Sequence, residues 1–250
     1  VGTITLTAGA SGTNNYAVIG SGGGQTISAG GITIQGGAGG VGSFGNYAWI
    51  DNGGGAGQTI TISNGGSVVL TAGSGSGTTT GAISPSLVPS VCASDVSEGG
   101  CSSKPVTGDW AGIYNSFGTQ SLIFSDGGAL SITGGSGGNE NKAFISNAGT
   151  GTQSITGSPD ITLTGGFSGG DNHTSTDNFN YLRNSASIFS PSGAQTIVAN
   201  SLTLEGMSAE ANSSTIASAS IVGKSQNITV VGALSLNAGA YGNNNSAVIY

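Results

Sequence analysis

The chain has 250 residues, of which 49 are glycine and only 6% are charged, a composition far from that of an ordinary globular domain. Five prolines and no Gly-x-y period exclude collagen, and apolar residues recurring in register at a net charge of −7 argue against disorder. Four basic residues (Lys104, Lys142, Arg183, Lys224) against eleven carboxylates leave no basic surface for nucleic acid, and no apolar run is long enough to span a bilayer.

The chain opens with Ile4-Thr5-Leu6 and reaches Asn15-Tyr16-Ala17-Val18-Ile19 through Gly and Asn. The second stretch, Gln25 to Gly57, holds the full pattern: a Gln-Thr-Ile run, an alternating run at Ile32-Thr33-Ile34, a Gly-rich bend, then Asn-x-Ala-x-Ile from Asn46 to Ile50. Further copies begin at Gln58, Gln120, Gln153, Gln195 and Gln226, so the spacings from Gln25 are 33, 62, 33, 42 and 31. The base period is about 32 residues, stretched by two insertions.

Alternation in the middle run (Ile32/Ile34, Val68/Leu70, Leu130/Ile132, Ile161/Leu163, Leu202/Leu204, Leu234/Leu236) predicts strands. Ala-x-Ile recurs in all seven copies, at Ala17, Ala48, Ala111, Ala143, Ala186, Ala219 and Ala247. Two positions earlier stand Asn15, Asn46, Asp109, Asn141, Asn184, then Ala217 as the exception, then Asn245. Such columns predict an all-β parallel β-helix (β-solenoid) of about seven coils, in which like stacks on like at about 4.8 Å. Asn and Gln are expected to hydrogen-bond their stacked copies, and glycine to turn the corners. A seven-bladed propeller fits less well, because its blades need four strands in about 40–45 residues.

Residues 1–250 thus form a single solenoid segment with an insertion at about 75–107 and a smaller one at about 168–182. The first insertion carries Cys92 and Cys101, whose short separation suits a local disulfide in an oxidising compartment, with two free thiols as the alternative. Its start and stop within repeats suggest a segment of something longer. The apolar ends Ile4-Thr5-Leu6 and Ala247 to Tyr250 are expected to continue a solenoid, through flanking repeats or by head-to-tail docking of copies.

With Gln-Thr-Ile, Leu-Thr-Leu-x-Gly-Gly and Asn-x-Ala-x-Ile in tandem, the chain resembles the repeat regions of large secreted bacterial adhesins of the filamentous haemagglutinin type, exported by two-partner secretion. The resemblance covers nearly all the chain outside the first insertion. It implies a right-handed β-helix, export to the cell surface or medium, and an adhesive or scaffolding role.

No catalytic constellation accompanies the repeats. Asp109, Asp126, Asp160 and Glu205 lie nearest to predicted strands but in different columns, so no paired acid and base is expected. His173 is the only histidine, and Asp171 and Asp177 beside it match no calcium-loop spacing, so neither a metal nor a cofactor is expected. Asn172, Asn212, Asn227 and Asn244 begin Asn-x-Ser/Thr triplets that matter only in a eukaryotic secretory route. The residues flanking each inward Ala point outward, which aligns Tyr16, Tyr47 and Trp110 in one column and Trp49 and Phe144 in the next. Such an aromatic strip suits sugar rings, another rod or a partner protein, unless the cysteine-bearing insertion covers it. The expectation is a non-enzymatic extracellular rod that associates with itself, head to tail or laterally. The alternatives are a module binding surface glycans and a β-helical polysaccharide-degrading enzyme.

Overall fold

A computed structural model describes residues 1–12, 15–38, 45–74, 109–136, 141–166, 184–206, 218–239 and 245–250. Both insertions, with Cys92, Cys101, Asp171, His173 and Asp177, lie outside the described residues. Among those residues the fold is all-β, without a helix.

The strands follow the sequence copies. The first copy supplies β1 (Thr3–Thr7) and β2 (Ala17–Ser21), the second β3 (Gln25–Ala29), β4 (Gly31–Gln35) and β5 (Ala48–Asn52), and the third β6 (Gln58–Ile62), β7 (Ser67–Thr71) and β8 (Ala111–Asn115). The fourth gives β9 (Gln120–Phe124), β10 (Ala129–Thr133) and β11 (Ala143–Asn147). Then follow β12 (Gln153–Thr156), β13 (Asp160–Thr164), β14 (Ala186–Ala199), β15 (Ser201–Glu205), β16 (Ser218–Val230), β17 (Leu234–Asn237) and β18 (Ser246–Ile249).

All pairings between these strands are parallel. The middle runs make a seven-stranded sheet in the order β1-β4-β7-β10-β13-β15-β17. The Ala and Gln runs share an eleven-stranded sheet, β2-β5-β8-β11-β14-β12-β9-β6-β3, with β16 beside β14 and β18 beside β16. Register matches copy to copy: Ile32 lies opposite Val68, Leu130 opposite Ile161, Ala48 opposite Ala111, and Gln58 opposite Gln120. A shift of one residue would turn every inward side chain outward, so the hydrophobic alternation enforces this register.

One apolar cluster joins the sheets. Ile34, Leu70, Ile132, Leu163 and Leu204 come from the first, and Ile50, Ile113, Ile145, Ile188 and Ile221 with the Ala column come from the second. Where chain passes close to chain, only glycine fits: a Cβ on Gly66, in the turn before β7, would lie 1.7 Å from the Gly30 carbonyl oxygen of the preceding copy.

Three separate runs per copy do not hold throughout. β14 and β16 each carry the Ala run into the following Gln run without a break, where bends are expected. Their pairing absorbs the irregular Ser190-Pro191-Ser192-Gly193 stretch as a register shift between Ser190 and Ala194.

Candidate functional site

The expected aromatic columns form, and all of their rings but Tyr16 are buried. Ala17 N–H donates to the Tyr47 carbonyl, Ala48 N–H to that of Trp110 and Ala111 N–H to that of Lys142, so Tyr16, Tyr47, Trp110 and Lys142 occupy successive rows. In the neighbouring column Trp49 pairs with Gly112, and Gly112 with Phe144. Tyr47, Trp49, Trp110, Tyr114 and Phe144 form a second buried apolar cluster, separate from the main core.

Tyr47 is 2% exposed and Trp49 3%, whereas Tyr16 keeps 50% of its surface in solvent. Of the two expectations for the strip, open or covered, the rings from Tyr47 onward take the covered one, and Tyr16 alone stays open. Alternation along a strand decides which side of the sheet a residue faces, and on that side several of the rings pack against one another. Tyr16 and Tyr47 stack at 5.4 Å between centroids with planes 8° apart, and Tyr47 stacks on Trp49 at 4.4 Å. Trp110 meets Phe144 edge to face at 6.3 Å, and Lys142 Nζ lies 5.9 Å from the Trp110 ring centre, within cation–π range. Gly112 makes this possible, because a Cβ there would come within 2.7 Å of the Phe144 ring. Burial raises the phenol pKa of Tyr47, and a charge on Tyr16 would raise it further.

The polar columns are internal ladders. Gln58, Gln120, Gln153, Gln195 and Gln226 each donate through Nε2 to Oε1 of the glutamine one copy earlier, at 2.7–2.9 Å. The same amides also reach main-chain carbonyls, as Gln120 does to Ser146 O at 3.1 Å. The Asn column before Ala works otherwise. Asn46, Asp109, Asn141 and Asn184 accept through Oδ1 from the backbone N–H of Asn15, Asn46, Asp109 and Asn141 respectively, at 2.7–3.0 Å. Only an oxygen is needed for that bond, which is why an aspartate fits among asparagines.

The structure adds a third ladder to the expected columns: Asn52 donates to Asn115 at 2.7 Å and Asn115 to Asn147 at 2.8 Å. Its signal is an asparagine four residues after Ala48, Ala111 and Ala143. Tyr114 likewise joins the aromatic cluster from outside the expected columns, two residues beyond Gly112 on the same outward face. The two amide ladders run in opposite senses, glutamines donating toward the N-terminal copies and asparagines toward the C-terminal ones. Their dipoles therefore oppose each other along the stack.

The carboxylates serve local structure. Asp109 is buried in its ladder, and Asp126 Oδ2 accepts from Asn64 N–H at 2.9 Å, holding a turn whose Asn64 has φ +60°. Asp160 Oδ1 accepts from Ser201 Oγ at 2.6 Å and Asn200 Nδ2 at 2.8 Å, and these bonds, Ser201 first, lower its pKa. Glu205 ends β15, whereas Asp160 begins β13. Opposite Asp160 in β15 is Ser201, four residues before Glu205, so the two carboxylates are about 13 Å apart along the strand direction.

Among the described residues no three His, Cys, Asp or Glu side chains group as a metal site would require, and no helix is long and apolar enough to cross a membrane. Family models, curated proteins and solved structures give no match to this chain.

Proposed function

We propose that the two sheets are faces of one right-handed parallel β-helix of about seven coils, and that the chain is a non-enzymatic, secreted structural or adhesive rod at the cell surface or in the extracellular medium. The observation that supports this reading most is the continuous glutamine ladder from Gln25 to Gln226, with a like-on-like register beside it. A scaffold needs that kind of stiffness: chains of hydrogen-bonded amides polarise one another, and each buried amide is costly to leave unpaired. The repeat-style resemblance to filamentous haemagglutinin-type adhesins supports the same reading, as do carboxylates engaged in ladders and turns.

The test is electron microscopy of native material together with fractionation of the source cells. Thin rods in the surface or medium fraction, with an axial repeat of about 4.8 Å, are expected. Intracellular, compact particles would overturn the proposal. The half-exposed Tyr16, stacked on Tyr47, favours a second reading as a glycan-binding surface. A glycan array separates the two: binding that is lost in Tyr16→Ala supports the module, and no binding leaves the scaffold. Turnover of acidic polysaccharides lost in Asp126→Asn or Asp160→Asn would instead establish an enzyme.

A further inference from the structure

We propose that the outer face of the seven-stranded sheet binds ice. Along this sheet the outward residues fall in three columns: a mixed one at the strand starts (Thr3, Gly31, Ser67, Ala129, Asp160, Ser201), and beyond it two adjacent columns, the first represented by Thr33, Thr162 and Thr203 and the second by Thr71, Thr133 and Thr164. Six of seven positions in the first column and four of seven in the second carry a hydroxyl, and Glu205 is the single charge among them. The pairing runs from β1 to β17 without the register shift seen in the other sheet, so the rows stay aligned.

The geometry is a lattice. Hydroxyls repeat at about 4.8 Å from strand to strand and about 6.6 Å along each strand, a regular two-dimensional array on the scale of the oxygen repeats of ice, nearer to them across the strands than along them. Threonine suits this role better than serine, because its branched Cβ restricts χ1 and little side-chain entropy is lost on contact. The hydroxyls of Thr133, Thr162 and Thr164 make no hydrogen bond within the described chain, whereas on the Gln-run face Ser154 Oγ donates to Ser121 Oγ at 3.0 Å. A second copy of the chain is a poorer occupant: the face covers roughly 500–600 Å², short of the about 800 Å² per partner of a stable interface, and Val69 is its only apolar side chain in the two columns. Arrayed neutral hydroxyls with gaps of one water between them match a surface that is itself an array of water.

The experiment is ice-grain growth in a flash-frozen film of the purified chain, with single crystals watched for faceting just below the melting point. The chain is expected to arrest grain growth and facet the crystals. Thr133→Lys and Thr162→Lys, shown folded by circular dichroism, should each lose both effects, while Thr162→Ser retains most of them and Ser154→Lys, on the other face, leaves them intact. Grain growth unaffected by the wild-type chain, retention of both effects in the two lysine variants, or loss in Ser154→Lys alone would overturn the proposal.

Discussion

Gln120 shows what a single side chain does in this molecule. It donates to Gln58 and to the Ser146 carbonyl and accepts from Gln153, all in the buried interior. Gln120→Leu keeps the approximate volume but leaves the Gln58 oxygen without its donor and the Gln153 amide without one acceptor. At about 1–3 kcal/mol for each orphaned group, a loss of about 2–6 kcal/mol is expected in urea unfolding. Gln226→Leu, at the part-buried end of the ladder, should cost less, because Gln195 is the one ladder glutamine that loses a partner. Equal losses at the two positions would show that the ladder is not what carries the stability.

Asp109 gives the complementary case. Its Oδ1 accepts from Asn46 N–H, so Asp109→Asn keeps the bond and should change stability by less than about 1 kcal/mol, whereas Asp109→Leu strands a buried N–H at about 1–3 kcal/mol. Asp160 makes the pH-dependent contribution. Its folded pKa lies below the ordinary carboxylate value because Ser201 and Asn200 hydrogen-bond the ionised form. The stability from these bonds is therefore complete above the unfolded value and is lost as pH falls through the folded one. Because the group is exposed, the effect is small. An NMR titration should find the Asp160 carboxyl below the usual range and Ser201→Ala should move it back up.

At the level of the strand, the legible and illegible parts of the sequence separate cleanly. Ile32/Ile34 and its counterparts repeat with period two in every copy, and the structure pairs them in the expected register because any other would expose them. The burial of Trp49 and Phe144 was not legible, since alternation assigns a side of the sheet and is silent on what packs over it. Nor was the fusion of two runs in β14, because Ser190-Pro191-Ser192-Gly193 has the residues of a turn. Gly112 lies between these cases: it reads as a gap in an aromatic column, and it is the gap that the Phe144 ring fills. Gly112→Ala is expected to destabilise by about 1–3 kcal/mol through overpacking. In Phe144→Leu the same substitution should cost much less, and a double-mutant cycle of thermal or urea unfolding measures the difference. Additivity would place the ring elsewhere.

Across the whole molecule the contacts are quasi-one-dimensional: each middle-run strand is hydrogen-bonded only to its counterparts one copy before and one copy after. Stability in such a stack is a sum of terms within each copy and between nearest neighbours, so it is distributed unevenly. Leu130, Ile132, Ile161 and Leu163 in β10 and β13 are fully buried, while Leu234 and Leu236 at the same positions of β17 are 54% and 46% exposed. At about 25 cal/mol per Å² of apolar surface, a strand whose two leucines stay half in water forgoes a substantial part of the burial that holds its central counterparts. β17 and β18 also pair on one side only, so fewer of their amides are shielded when neighbouring strands open. Hydrogen exchange on the 250-residue chain should therefore show a gradient, slowest in β9, β10, β12 and β13 and fastest in β17 and β18, with Thr3–Thr7 intermediate or fast. Adding urea should collapse the outer strands before the central ones rather than shift all amides together. Uniform protection from Thr3 to Ile249 would mean that coupling between neighbours outweighs the missing burial, and the chain would then open as one unit.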